Sequence, residues 1–184
     1  MAAARPPWAA DLLHFWFGKL GPDDWFGPGP EVDRALEQRY ARWWSALRHR
    51  PAEDFMDSPA VAQAAVLLFD QVPRNIHRRS VLAFASDPLA RAIAKEALAR
   101  GWDRTLRLHE KQFLALPLMH SEDPGDQLAS LAYFTALGDA QILRFARAHQ
   151  RMIARFGRFP HRNAVLGRVS SAREREAVAA GYAW

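Results

Sequence analysis

Three short polar runs concentrate the side chains in this sequence that are able to do chemistry. The first, Asp70-Gln71-Val72-Pro73-Arg74-Asn75-Ile76-His77-Arg78-Arg79, starts where the most apolar stretch of the chain stops. The second is His120-Ser121-Glu122-Asp123, and the third is Arg158-Phe159-Pro160-His161-Arg162-Asn163, followed by Gly167-Arg168. Arginine presents a planar fork of donors that matches phosphate or carboxylate, and it stays charged throughout the accessible pH range. Arg74, Arg78, Arg158 and Arg162, with Asp70, Gln71, Asn75 and Asn163 beside them, are therefore the candidate ligand-binding residues, placed to grip an oxyanion from two proline-stiffened corners. Imidazole beside carboxylate suits general acid–base catalysis, which makes Glu122 the candidate base and His120 or His161 the candidate acid.

Each run also has a quieter explanation. Polar groups that follow a buried helix must find partners, because leaving one unpaired costs ~1–3 kcal/mol. Asp70 paired with Arg74, and Gln71 and Asn75 tying off open carbonyls, would satisfy that need without any ligand. Ser121 and Asp123 are natural helix caps, and the third run reads as a corner after a glycine cap at Gly157. The chain has no cysteine, which excludes a disulfide scaffold, a Cys-ligated metal and a thiol nucleophile. No HExxH or HxxxH spacing accompanies the histidines. No metal and no cofactor are expected.

Charge is regional. The 25 Lys+Arg and 20 Asp+Glu give a formal +5, and all the basic residues but Lys19, Lys95 and Lys111 are arginine. From Asp139 to Arg168 there are seven arginines against a single acid, so this segment alone carries more net positive charge than the whole chain. At about 100° per residue, Arg144, Arg147, Arg151 and Arg155 share one arc of a helix. Ile142, Phe145, His149, Met152 and Phe156 gather on roughly the opposite side. The stripe is an anion-binding face or a solvated one, and His149 in the apolar face reads as a core histidine.

The elements that position these groups are helical. Start and stop signals abound, and no segment alternates with the period of a half-buried strand. A short helix follows Pro6-Pro7, and Gly18 to Pro30 reads as a loop pinned by buried Trp25-Phe26. Helical spacing returns from Glu31 to Arg50. Ser58-Pro59 and Asp87-Pro88 each look like an N-cap followed by proline at the first helical position. The first opens a helix to Gln71 that is apolar almost all round, its run from Ala60 to Phe69 interrupted by Gln63, and the second a helix closed by Gly101. Further helices span about Leu108 to His120, with Pro117 inside, Gly125 to Leu137, and Asp139 to Phe156. Ser171 and Glu174 have capping-box spacing before a C-terminal helix. This amounts to one all-α domain, residues 1–184, of about eight helices in antiparallel pairs. The closing Tyr182-Ala183-Trp184 packs on the domain or on a neighbouring subunit, and oligomeric state is left open.

Several of these strings occur together in order: His14-Phe15-Trp16-Phe17-Gly18, Trp25-Phe26-Gly27, Asp70-Gln71-Val72-Pro73-Arg74-Asn75, Ala83-Phe84-Ala85-Ser86-Asp87, His120-Ser121-Glu122, and Phe156-Gly157-Arg158-Phe159-Pro160-His161-Arg162-Asn163. From about Leu12 to Glu176 the sequence resembles the bacterial family catalogued as a domain of unknown function, DUF924. It departs from the family's usual pattern at Val72, where Phe is commoner, and at Leu118-Met119, where Phe-Glu is commoner. The resemblance implies a right-handed helical array similar to tetratricopeptide-repeat proteins, and it implies no reaction.

The sequence therefore does not assign a function. The reading it favours is a cytoplasmic helical binding protein whose cleft, lined by Arg74, Arg78, His120, Glu122, His161 and Arg162, accepts an anionic ligand that is phosphorylated or carboxylate-bearing. The alternatives are an enzyme on such a substrate, or a scaffold for a protein partner. Nucleic acid is the least favoured partner, since no recognised nucleic-acid module is present. No stretch is long enough to span a bilayer, and the interrupted start of the chain lacks the apolar run of an export signal.

Overall fold

The computed structural model describes residues 6–27 and 29–181, and every regular element among them is helical. The all-α class is the one expected. Contacts divide the chain into two compact units, Met1–Pro117 and Leu118–Trp184. The Tyr182-Ala183-Trp184 ending lies outside the described residues. Among the described residues, no helix is long and apolar enough to cross a membrane.

The first unit contains α1 (Pro7–Gly18), α2 (Pro22–Phe26), α3 (Pro30–Leu47), α4 (Pro59–Val66), α5 (Val72–Ile76) and α6 (Asp87–Ala99). Helix α7 (Leu108–Met119) contains Pro117, and the boundary between the units falls in its last turn. Ser58 caps α4 through the Val61 N–H at 3.3 Å. Helix α4 packs on α1 and α6, and every residue from Val61 to Pro73 is buried, as an all-round apolar helix must be.

Between α4 and α5 the helix does not stop; it widens into a π-turn over Leu67–Gln71. Pro73 supplies the reason. Proline has no N–H to donate, and its ring presses on the carbonyl four residues back, here Phe69. The wider turn lets the Val72 N–H reach back to the Leu67 carbonyl. Side chains then complete the ladder: Ser86 Oγ donates to the Phe69 carbonyl at 2.6 Å, Arg74 Nη1 to that of Asp70 at 2.6 Å, and Asn75 Nδ2 to that of Gln71 at 2.9 Å.

Two expectations need correction in this unit. The cap of α6 is Ser86, one residue earlier than Asp87, and its side chain makes no capping bond. Ser86 is occupied by Phe69 and by the Trp44 indole N–H at 2.8 Å, while the Asp87 carboxylate takes both terminal nitrogens of Arg74 at 2.8 and 2.9 Å. The segment read as a loop from Gly18 to Pro30 contains α2. Its Trp25 donates to the Trp16 carbonyl at 3.0 Å, whereas Phe26 stacks on Phe113 and leaves 61% of its surface exposed.

The second unit contains α8 (Pro124–Leu137), α9 (Ala140–Phe156) and α10 (Ala172–Ala179). Gly138 adopts φ +79° to end α8, and Asp139 caps α9 through the Gln141 and Ile142 N–H groups, both at 2.9 Å. That two-residue join turns α9 back along α8. Gly157, at φ +69°, ends α9 and sends the chain into a single 3-10 turn, Pro160–Arg162. Met152, Ile153, Phe159 and Ala177 form a buried apolar cluster, with Phe156 at its edge. Ser171 and Glu174 make both bonds of the expected capping box on α10.

Ser86 and Ser58 both serve helices, but only Ser86 satisfies two buried groups. Ser86→Ala is expected to lower the unfolding free energy by about 2 kcal/mol or more, against about 1 kcal/mol for the cap variant Ser58→Ala. Urea denaturation of the two variants checks the order; equal losses would show that the Phe69 carbonyl and Trp44 indole find other partners.

Candidate functional site

The first polar run lies in the first unit, and its charged groups face one another. Asp70 is fully buried at the π-turn, 3.2 Å from Arg74, and accepts from the Gln71 amide. Arg74 is clamped between Asp70 and Asp87, and it also lies over the Phe84 ring at 5.7 Å. Burial works against its charge, but Asp70 and Asp87 outweigh that and hold its guanidinium protonation above the usual range. Arg78 forks onto Asp33 at 2.7 and 2.8 Å and donates to the Asn75 side-chain amide oxygen at 2.9 Å. These five residues therefore do come together, with side-chain donors directed at carbonyls and carboxylates of their own unit.

The second and third runs meet in the second unit. Glu122 reaches across to the corner after α9, accepting the Phe159 N–H at 2.8 Å and two guanidinium bonds from Arg168 at 2.8 and 2.9 Å. Burial raises the affinity of Glu122 for a proton, but Arg168, the Phe159 N–H and Arg162 together hold its carboxyl below the usual range. A carboxylate fixed ionised, with both oxygens engaged, is poorly placed to collect a proton as a general base. Ser121 donates to Asp126 at 2.8 Å and accepts the Asp123 N–H at 3.1 Å, while Asp123 caps α8 through the Asp126 N–H.

Phe159 is the hub of the corner. Its fully buried ring stands edge-on to His149 at 5.4 Å, lies 5.7 Å from His161, and carries the buried Arg162 guanidinium over its face at 4.6 Å. His120 stands 6.2 Å from His149. His149 donates from Nδ1 to the Phe145 carbonyl one turn back, at 2.9 Å, which fixes its tautomer. Burial first, then the positive potential of His120, and more weakly of Arg162 and His161, push its pKa down to about 3. The ring is thus a neutral core histidine.

Asn163, fully buried, donates to Ser170 at 3.0 Å and to Glu174 at 3.4 Å. Arg158 forks onto Glu174 at 2.7 and 3.0 Å and donates to the Val169 carbonyl at 2.9 Å. Arg158 and the Ser171 N–H together hold the Glu174 carboxyl far below its ordinary range. Above this pair opens a cavity of about 440 Å³ lined by Arg155, Phe156, Arg158, Ser171, Arg173 and Glu174. Three arginines thus line the cavity together with one carboxylate whose two oxygens are already bonded by Arg158 and the Ser171 N–H. Arg155 lies over Phe156 at 4.9 Å, and neither Arg155 nor Arg173 pairs with a carboxylate among the described residues. The sequence pattern marks Arg155 as a member of the helix stripe and gives Arg173 no part in a site. The clue to their meeting is the fixed path from the Gly157 cap to the Ser171 cap, which brings the end of α9 to the start of α10.

No metal-binding group of three or more His, Cys, Asp or Glu side chains occurs among the described residues. The family described as a bacterial protein of unknown function, DUF924, matches residues 12–181. The solved structure of a protein of unknown function from Agrobacterium tumefaciens is similar over 94% of this chain and 97% of its own, with 35% sequence identity and a TM-score of 0.88. No curated protein matches the chain.

The buried His149 makes stability sensitive to mild acid. Its folded pKa of about 3 lies far below the ~6.5 of an unfolded histidine, so the unfolded chain takes up the proton first as pH falls. Stability is unaffected above pH ~6.5 and declines from there toward pH ~3, by at most about 1.4 kcal/mol per pH unit from this residue. Denaturation at pH 7.5 and pH 5 is expected to show a smaller difference in His149→Leu than in the parent; an equal difference would place the acid sensitivity elsewhere.

Proposed function

The chain belongs to the DUF924 family, whose description carries no reaction, and from its geometry we propose a cytoplasmic helical binding protein that takes a small anionic ligand, phosphorylated or carboxylate-bearing, in the cleft of Arg155, Arg158 and Arg173. One observation carries this reading. The cleft is lined by three arginines and by Glu174, and that carboxylate is already held by Arg158, the Ser171 N–H and Asn163. The positive charge of Arg155 and Arg173 has no internal counterpart among the described residues. Fork-shaped donors facing a cavity of this size suit a phosphoryl or carboxylate group.

Arg158 plays a double part in this reading. Its bonds to Glu174 and to the Val169 carbonyl lock the wall of the cleft, while its charge adds to the field the ligand meets. Glu122 and Arg168 act from behind by fixing the Phe159 backbone, which sets the direction in which Arg158 leaves the chain. Arg162 adds positive potential around the same corner.

Inorganic phosphate and pyrophosphate titrated into the protein at low ionic strength are the direct test. Binding is expected to shift the resonances of Arg155, Arg173 and Ser171, to weaken with added salt, and to weaken about tenfold in Arg173→Gln, a change at an exposed residue. Arg155→Gln is expected to act likewise. Binding that is absent in the parent protein, or unchanged in both variants, would remove the reading.

A further inference from the structure

The charge balance of the arginine cleft specifies more than an anion. Its lining holds three arginines, Arg155, Arg158 and Arg173, and one carboxylate, Glu174. Arg158 and Glu174 satisfy each other through bonds of 2.7 and 3.0 Å. Two positive charges are left over, on Arg155 and Arg173, and neither has a carboxylate partner among the described residues. Neighbouring charged side chains do not line the cavity: Arg151 lies one turn earlier on α9, Arg175 donates to the Ser170 carbonyl at 2.6 Å, and Glu176 is an exposed residue further along α10.

This balance does not move with pH. Arginine stays charged throughout the accessible range. Arg158 first, and then the Ser171 N–H, hold the Glu174 carboxyl far below its ordinary range, so it takes up no proton near neutrality. Its two oxygens accept from Arg158, Asn163 and the Ser171 N–H and offer a ligand nothing further.

Two of the three arginines are also held in place before any ligand arrives. Arg158 is bonded to the Val169 carbonyl at 2.9 Å as well as to Glu174, and Arg155 lies over the Phe156 ring at 4.9 Å. Groups positioned in advance lose little freedom on binding. Phe156 is the one apolar side chain among the residues that line the cavity. A molecule with two separated carboxylates therefore finds little apolar wall for the carbon chain between them. A phosphate monoester instead places two charges and three acceptor oxygens on a single group, which guanidinium forks take bidentately.

Resting on the reading of this cleft as an anion site, we infer that it selects a dianion and that its ligand class is a phosphate monoester, in preference to a phosphodiester, a monocarboxylate or a dicarboxylate. A diester or a monocarboxylate brings one negative charge and leaves one of the two arginines uncompensated.

Methyl phosphate is the probe, compared with dimethyl phosphate, acetate and succinate, and with sulfate as a control that stays doubly charged. Each is titrated into the full chain at low ionic strength and followed by NMR. At pH 7.5 methyl phosphate is expected to bind about tenfold or more tighter than dimethyl phosphate, acetate or succinate. Its second proton is taken up at about pH 6, so its affinity is expected to fall about tenfold between pH 7.5 and pH 5. Sulfate affinity is expected to stay constant over that range, and any protonation of the protein itself would show there. Arg173→Gln removes one of the two uncompensated charges and is expected to narrow the gap between methyl and dimethyl phosphate to about threefold. Arg147→Gln, an exposed member of the same stripe outside the cavity, is expected to leave the gap unchanged. Equal binding of methyl and dimethyl phosphate, tighter binding of succinate, or a methyl phosphate affinity that tracks sulfate across pH would each overturn the inference, while a loss of binding in Arg173→Gln would still mark the cleft as an anion site. Equal losses in Arg147→Gln and Arg173→Gln would assign the binding to the general field of the basic segment and overturn it too. Absence of binding by every one of these anions would remove the reading of the cleft and the inference together.

Discussion

A proline placed in a helix that is buried on every side sets the terms for the first unit. Pro73 removes one donor from the ladder and pushes the Phe69 carbonyl outward, in a place where water cannot take over. The helix answers by widening over Leu67–Gln71, which leaves three consecutive carbonyls to be met by Ser86, Arg74 and Asn75. Each of those side chains then needs its own surroundings. Arg74 requires Asp70 and Asp87 to balance a mostly buried charge, and Ser86 draws in the Trp44 indole from α3. Removing one partner from such a set costs more than the bond itself, because the group left behind stays desolvated. The polar run after α4 is thus a consequence of the backbone first, and its charges follow from that.

The second unit meets the same constraint at a chain corner. After Gly157 the backbone leaves α9 and turns tightly through Pro160–Arg162, exposing amide groups inside the domain. Glu122 accepts the Phe159 N–H from across the unit, and Arg168 compensates the carboxylate so introduced. Glu174 helps open α10 through its capping box and at the same time anchors Arg158. With the corner fixed at both ends, the Phe159 ring is held among Met152, Ile153 and Ala177, and His149 is trapped beside it in its neutral form.

Most of the helices were legible because their signals are local. Ser58-Pro59, Gly138-Asp139, Gly157 and the Ser171/Glu174 pair each carry their own backbone chemistry, and each ends or begins a helix where that chemistry says. The cap of α6 was not legible, because Asp87 is engaged by a residue thirteen positions away, and no local rule anticipates that. The short helix α2 hides in a Gly- and Pro-rich stretch for a similar reason: Trp25 is fixed by the Trp16 carbonyl and by the Phe113 ring, contacts that sequence spacing does not announce. The pairing of Asp70 with Arg74, and the tying of the Gln71 carbonyl by Asn75, did follow from the rule that polar groups after a buried helix must be satisfied. Glu122 as a base did not, since its reach to Phe159 and Arg168 is a tertiary fact.

The arginines show how far residue type alone can lead. Arg74, Arg78, Arg158 and Arg168 lie in the polar runs that look most like an anion clamp, and the structure gives each of them a carboxylate of its own: Asp87, Asp33, Glu174 and Glu122. Arg144, Arg147, Arg151, Arg155 and Arg173 lie outside those corners, and none pairs with a carboxylate among the described residues. What separates these five is geometry rather than charge. Arg144, Arg147 and Arg151 project from a solvated helix face, where water and salt screen them strongly. Arg155 and Arg173 line a common cavity with Arg158 and Glu174, which are bonded to each other. Within this unit the end of α9 and the start of α10 are where guanidinium groups without a carboxylate partner line a common cavity.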